Sequence, residues 1–226
     1  PLLDARAVPP EIRRTLEARY GIDQPLPLRY LRYLGNMARG DFGVSFTQQN
    51  REVNDIIREH FPVSALLGVL AIGFAALGGV FWGVITARTA GRWPDAVVMF
   101  LVVLCISVPG FVLAALAQLA LLRLNAWAGV SLLPVAGWGS LAHMLAPAMV
   151  LGLGTMAFLT RLMRTSMLEV RGADYVRTAR AKGLSPARIL LRHQLPNAIL
   201  PVITVLGPAV ATIATGGFVV ELVFAI

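Results

Sequence analysis

Residues 161–201 read RLMRTSMLEVRGADYVRTARAKGLSPARILLRHQLPNAILP, a strongly basic, helix-forming insertion between two apolar runs. From Arg161 to Arg192 there are eight basic residues (Arg161, Arg164, Arg171, Arg177, Arg180, Lys182, Arg188 and Arg192) against Glu169 and Asp174. That is +6 of a formal net charge of +8. A connection between two packed helices needs about two to eight residues. This one, 161–196, is far longer, and the excess has to be explained.

Its local chemistry predicts two short helices. Asp174 suits the positive end of the first helix dipole, and Arg180 and Lys182 suit its negative end. Gly183 supplies a C-terminal stop. Ser185 is a good N-cap and Pro186 a good first helical residue, so a second helix starts at once. It carries Ile189, Leu190 and Leu191, and Leu195-Pro196 is expected to end it. The first helix is expected to expose Ala173, Ala179 and Ala181, small side chains that let another protein approach closely.

The flanking sequence makes the bilayer the solvent. The chain is 57% hydrophobic and 14% charged, with a mean hydropathy of +0.70, where a soluble domain carries about 25% charged residues. Pro62–Ala87, Ala96–Leu122 and Pro196–Val220 contain no charge, and a span needs about 20 residues. A further span is read from His143 to Thr160, with Gly152 and Gly154 as small packing residues. Pro109-Gly110 interrupts the second run, either as a simple kink or as a bend lining a substrate path. Gly207-Pro208 in the last run is a second candidate hinge or lining position. Trp127 and Trp138 suit a membrane interface, and His143 is read as a wetted interfacial residue. The single Cys105 is read as a small buried hydrophobe, with no disulfide framework or CxxC metal site.

Residues 1–60 are of mixed composition and nearly neutral. A helix is predicted after Pro9-Pro10, with Ile12, Leu16 and Tyr20 on one face, and a second from about Pro27 to Met37. Gly40-Asp41-Phe42-Gly43 reads as a turn, and Val53, Ile56 and Ile57 form a third amphipathic patch leading to Phe61-Pro62. These are expected to be short helices on a membrane surface or a partner. The chain thus divides into an extracytoplasmic segment, 1–60, and a transmembrane domain, 61–226. No cleavable signal is visible, there is no initiator Met, and Val223-Phe224-Ala225-Ile226 is apolar. A span before Pro1 and at least one after Ile226 are therefore expected.

Charge sets the orientation. Arg88, Arg92 and the 161–192 segment share one side if spans alternate, and they hold ten of the twenty basic residues, against Arg123 alone between them. The positive-inside bias puts the basic segment in the cytoplasm. Three roles are open to it there. A DNA-binding helix-turn-helix conflicts with a membrane tether at each end. A polybasic lipid contact needs no defined hinge. A docking element for a cytoplasmic protein explains both hinge and small face.

The segment resembles the coupling loop of binding-protein-dependent ABC importer permeases, a Glu-Ala-Ala-like triplet with a glycine four residues on and then Leu-Pro. Arg177, Thr178 and Ala179 occupy the triplet, followed by Gly183 and Leu195-Pro196. The first two depart from the general pattern but match the dipeptide/oligopeptide branch, as does the whole of Tyr175–Leu184. Asn197-Ala198, Arg164-x-Ser166-Met167-Leu168-Glu169, Tyr20–Pro25 and Arg39–Ser45 are similar to that branch too, so the likeness covers nearly the whole chain.

The resemblance implies an all-α, polytopic permease fold in a bacterial or archaeal cell membrane, about six spans in full, that is not itself an enzyme. It implies a second homologous permease subunit, two cytoplasmic ABC ATPase subunits holding ATP and Mg, and an extracytoplasmic substrate-binding protein. No nucleic acid is implied, and no cofactor or metal on this chain. The coupling residues carried over are Tyr175, Arg177, Thr178, Ala179, Arg180, Ala181, Lys182, Gly183, Leu184, Ser185, Pro186, Leu195, Pro196 and Asn197. The sequence agrees in having no P-loop. An ion-driven transporter would want an ionisable group within a span, absent from the three uncharged runs. A membrane enzyme would want a nucleophile or metal cluster, and His60, His143 and His193 are scattered. Peptides are the expected cargo, with glutathione, nickel chelates or haem as alternatives.

Overall fold

The structure, a computed structural model, describes residues 25–45, 48, 51–131 and 133–226, with no side-chain description at 214–216. The helix expected after Pro9-Pro10 and the stretch 20–24 lie outside the described residues. The chain forms two compact units, Pro1–Val63 and Ser64–Ile226. Most of the described residues are helical, with one isolated antiparallel bridge, Val44 to Glu52.

In the first unit, α1 (Leu26–Ala38) has proline in its first turn and buries no side chain. The turn after it forms as expected. Gly40 and Gly43 take φ of +79° and +76°, values an L side chain resists. The Asp41 carboxylate accepts from the Gly43 N–H at 2.9 Å, and Asn54 accepts from the Phe42 N–H at 3.0 Å. The patch at Val53, Ile56 and Ile57 is not a separate short helix. It opens α2 (Val53–Arg88), which continues through Pro62. Proline removes only one backbone donor there, and the apolar residues that follow favour helix.

In the second unit, α5 (Leu141–Arg171) is the central element. Its 31 residues extend about 46 Å at 1.5 Å per residue, beyond a hydrocarbon core of about 30 Å. The helix therefore does not stop at Thr160. Residues 161–171 continue it, because Met163, Ser166 and Met167 keep the buried stripe going. α2 lies against α5 along a seam of Leu67, Ala71, Ala75, Gly79, Gly83 and Ala87, one residue every four, all buried. A Cβ added at Gly83 would stand 2.5 Å from Met163 Cβ and 2.9 Å from the Thr160 carbonyl. One added at Gly152 would stand 2.6 Å from the Ala71 carbonyl. Gly152 thus packs as expected, whereas Gly154 faces open space. Without a hydrophobic drive inside lipid, such close backbone approach is what holds helices together.

The second apolar run forms two helices, α3 (Trp93–Ser107) and α4 (Gly110–Ala128). Val108 and Pro109 between them are extended, with ψ of 126° and 140°. The interruption is a full two-residue break rather than a kink. Both pieces pack on α5, antiparallel to it: Asp95 meets Arg164, and further along Ala114 clusters with Ala146 and Val150.

After α5 come α6 (Asp174–Ala181), α7 (Pro186–Ile189), a π-turn over Leu190–Gln194, α8 (Leu195–Ala198), α9 (Leu200–Gly216) and α10 (Phe218–Phe224). Leu195-Pro196 does not end the helical path. The Leu195 N–H reaches back five residues to the Leu190 carbonyl, and this wider turn absorbs the donor that Pro196 lacks. The path then bends by 45° between Pro186–Ala198 and Leu200–Ile213. The bend therefore sits at Ile199, not at Gly207-Pro208, which lies inside an uninterrupted α9. Among the described residues, three helices can cross a membrane by length and composition, or four if the bent pair is one span.

Candidate functional site

The basic segment folds as a helical hairpin. α6 ends at Ala181 with Lys182 as its C-cap, and Gly183 takes φ of +74°. Ser185 caps α7 by accepting from the Arg188 N–H at 3.4 Å, and Pro186 occupies the first turn. Val176, Ala179 and Ile189 are buried together, with Leu184 and Val170 packed against them. The two helices therefore share an apolar seam of their own.

That seam corrects one expectation. Ala179 is only 4% exposed. It faces α7 and does not form a docking surface. Residues 176 and 179 lie three apart on one helical face, and the hairpin uses that face internally. The outward surface is made by Tyr175, Arg177, Thr178, Ala181 and Lys182, all exposed. Arg177 lies 3.6 Å from Asp174, and the Thr178 hydroxyl donates to the Asp174 carbonyl at 3.0 Å. Arg180 is exposed on the opposite side, toward the ends of α2 and α5. Leu195 is half-buried beside the core that includes Met167, Ala198 and Val202. Pro196 and Asn197 are exposed, and Asn197 donates to the His193 carbonyl at 2.8 Å, helping to satisfy the wide turn.

Neither side of the hairpin has a slack linker. Gly172 follows α5 directly, its N–H bonded to the Glu169 carbonyl at 3.1 Å. On the other side α7 passes through the π-turn into α8 without a coil residue. The hairpin is thus joined directly to α5 on one side and to the bent helical path on the other.

One feature of this end was missed from the sequence. Asp95, in the first turn of α3, receives both Nε and an Nη of Arg164 at 2.7 Å each, and its second oxygen also accepts from the Gly91 N–H at 3.0 Å. Its side chain is 7% exposed and that of Arg164 26%. A bidentate guanidinium–carboxylate pair has strict geometry, and here it ties the α2–α3 turn to α5. A signal existed, since Asp95 is the only acid between Glu59 and Glu169.

The candidate pathway residues are not brought together. Gly110 lines a cavity of about 520 Å³ at the break, with Cys105, Gly154, Phe158 and Arg161. Cys105 is thus half-buried beside a cavity and not enclosed in a core. Pro109 supplies the extended step. Gly207 and Pro208 are exposed on α9 and do not line that cavity.

Several apolar spans joined by an ordered basic hairpin define a helical, multi-pass membrane protein. The chain belongs to the family of binding-protein-dependent transport system inner membrane components, whose profile matches residues 79–226. It is 44% identical over its full length to the dipeptide transport system permease protein of Bacillus subtilis, covering 72% of that protein. It is 42% identical to the oligopeptide transport system permease protein of Haemophilus influenzae and 40% identical to that of Escherichia coli K12, in each case over 99% of the chain and 72% of the relative. The resemblance read from the loop motif, the all-α fold and the inner-membrane location are all borne out.

Proposed function

We propose that the chain is one of two permease subunits forming the pathway of a peptide importer, with ATP hydrolysed by separate cytoplasmic subunits. The peptide cargo is read from the dipeptide and oligopeptide systems named for its relatives. An extracytoplasmic binding protein would deliver it. The observation that carries the mechanism is the hairpin Asp174–Ile189, internally packed and joined without slack to a span on each side.

The outward face of α6 docks on an ATPase subunit, with Lys182 and Gly183 at its tip. Closure of the ATPase pair around ATP displaces the hairpin as a unit. Because the hairpin has its own apolar seam, the displacement is passed on and not dissipated in bending. α5 moves with α3 through Asp95 and Arg164, and the bent helical path moves at Ile199. The spans then alternate between openings to either side of the bilayer, a switch between two packed states. ATP and Mg reside on the partners. This chain supplies geometry and no chemistry.

In a Cys105→Ala background, Lys182→Cys is expected to form a cross-link to a co-purifying ATPase subunit. Fixing that link should stop uptake of a labelled dipeptide by reconstituted vesicles. Cross-linking only to lipid or to the other permease, with uptake intact, would discard the docking assignment.

A further inference from the structure

A cavity of about 400 Å³ opens between the ends of α2 and α5 and the hairpin. Three guanidinium groups on three different elements line it: Arg88 at the end of α2, Arg171 at the end of α5 and Arg180 on α6. None has a hydrogen-bond or ion-pair partner among the described residues, and none of the lining residues is acidic. The contrast with Arg164, held bidentate by Asp95, is sharp. Where this end needs a neutralised cation for structure, it has a carboxylate; here it has none.

Gln194 adds a second, independent observation. It lines the same cavity from the π-turn, is 8% exposed, and has no hydrogen-bond partner among the described residues. Buried side-chain amides are nearly always bonded, so a buried, unpartnered amide beside three exposed guanidinium groups facing one space points to a ligand rich in acceptors. Tetrahedral phosphate oxygens match guanidinium forks in charge and geometry. The rest of the wall is apolar, including Ala87, Met167, Leu184 and Ile189, so the ligand is amphipathic. Arg88 also ends the uncharged run of the first span, the level at which headgroups lie.

We propose that this cavity binds the phosphate of an anionic phospholipid from the adjoining leaflet, with Arg88, Arg171 and Arg180 on its oxygens and the Gln194 amide donating to an ester or phosphate oxygen. The bound lipid links α6 to the ends of α2 and α5 through one headgroup. It makes the stiffness of the hairpin depend on the membrane's anionic lipid content. Basic pockets between spans are recognised headgroup sites. The lipid adds to the proposed docking of α6 on an ATPase and does not require it.

The test uses the full-length complex in nanodiscs of phosphatidylcholine, alone or with phosphatidylglycerol. Native mass spectrometry should show phosphatidylglycerol retained on the wild type. An Arg88→Gln/Arg171→Gln variant should retain it about a hundredfold less, roughly tenfold for each of the two charge-assisted hydrogen bonds lost. Phosphatidylglycerol should also raise the melting temperature saturably in the wild type but not in this variant. Gln194→Leu keeps all three arginines and serves if the double variant misfolds. It should weaken retention while raising the melting temperature without anionic lipid, since an unpartnered buried amide is removed. Unchanged retention in both variants overturns the site. Equal stabilisation by millimolar inorganic phosphate overturns the lipid assignment in favour of a free anion. Displacement of the lipid by a co-purifying subunit that cross-links to Arg171→Cys overturns it in favour of a partner's carboxylate.

Discussion

The surroundings of the two ends of α5 are tied together in different ways. Around the Leu141 end the ties joining α4, the loop carrying Leu133, Val135 and Gly137, and α10 end on backbone, and one side-chain contact, Ser140 to His143 at 2.8 Å, sits at the start of α5. Gln118 donates to the carbonyls of Val223 at 2.8 Å and Val135 at 3.3 Å, Asn125 to that of Leu133 at 2.8 Å, and the Gly137 N–H to that of Phe224 at 2.8 Å. At the Arg171 end the tie is a charged side-chain pair, Asp95 and Arg164, beside three arginines with no partner among the described residues. Backbone ties hold one conformation. A charged pair flanked by unmatched cations can be rearranged or satisfied by something outside the chain. The difference divides the molecule into a fixed end and a responsive end.

Packing between the ends is continuous, so overpacking it should not distinguish them. Gly83→Leu near the Arg171 end and Gly152→Leu nearer the other both drive a side chain into backbone or a packed Cβ. Each is expected to cost about 3 kcal/mol or more, with folded complex lost from the membrane by size-exclusion fluorescence. Gly154→Leu, into open space, is the control and should leave the yield near wild type. If Gly83→Leu alone were tolerated, the seam would be loose at the responsive end and the division above would rest on packing instead of polar ties.

The polar ties themselves are the next test. Asp95→Ala strands a largely buried guanidinium and is expected to cost on the order of 3 kcal/mol, while Asp95→Asn, which keeps an acceptor for Gly91, should fall between. Gln118→Leu frees two carbonyls, at about 1–2 kcal/mol. Both should lower the melting temperature. Only the Asp95 variants should also lower the number of peptides taken up per ATP hydrolysed, because only they uncouple α3 from the hairpin-bearing helix. A matching loss of that ratio in Gln118→Leu removes the distinction between the ends.

What could be read from the chain follows the same division. Uncharged runs and the Ser185-Pro186 and Gly183 signals reveal spans and hairpin, because capping and transfer from water are local effects. Four features escape for reasons that are not local. Residues 161–171 look like loop because of their arginines, although Met163 and Met167 continue the helical stripe. Pro196 looks like a terminator, because a π-turn has no side-chain signature. Ala179 carries no sign of which way it faces until its neighbour α7 is in place. Asp95 is conspicuous as a lone acid, but nothing in the sequence chooses Arg164 among so many arginines. The four-residue stripe of Ala71, Ala75, Gly79 and Gly83 was legible and is the plainest signal passed over.

The smallest expected effect on stability falls at Gly183. A Cβ there meets nothing within 4 Å, so sterics from neighbours drop out and only the backbone remains. At φ of +74° a non-glycine residue pays about 1–2 kcal/mol for the left-handed conformation, and asparagine pays less than alanine because it visits that region more readily. Gly183→Asn should therefore keep the hairpin angle and most of the uptake. Gly183→Ala is expected to escape most of that cost by shifting the hairpin toward a right-handed turn, which tilts α6 against α7 and cuts uptake, with the melting temperature lowered less than in Gln118→Leu and the ATPase subunits still co-purifying. A bulky residue should behave like alanine, since the space is open. Were alanine and asparagine to give the same uptake, the angle at Gly183 would be irrelevant to transport, and the responsive end would have to act through Arg164 and its neighbours alone.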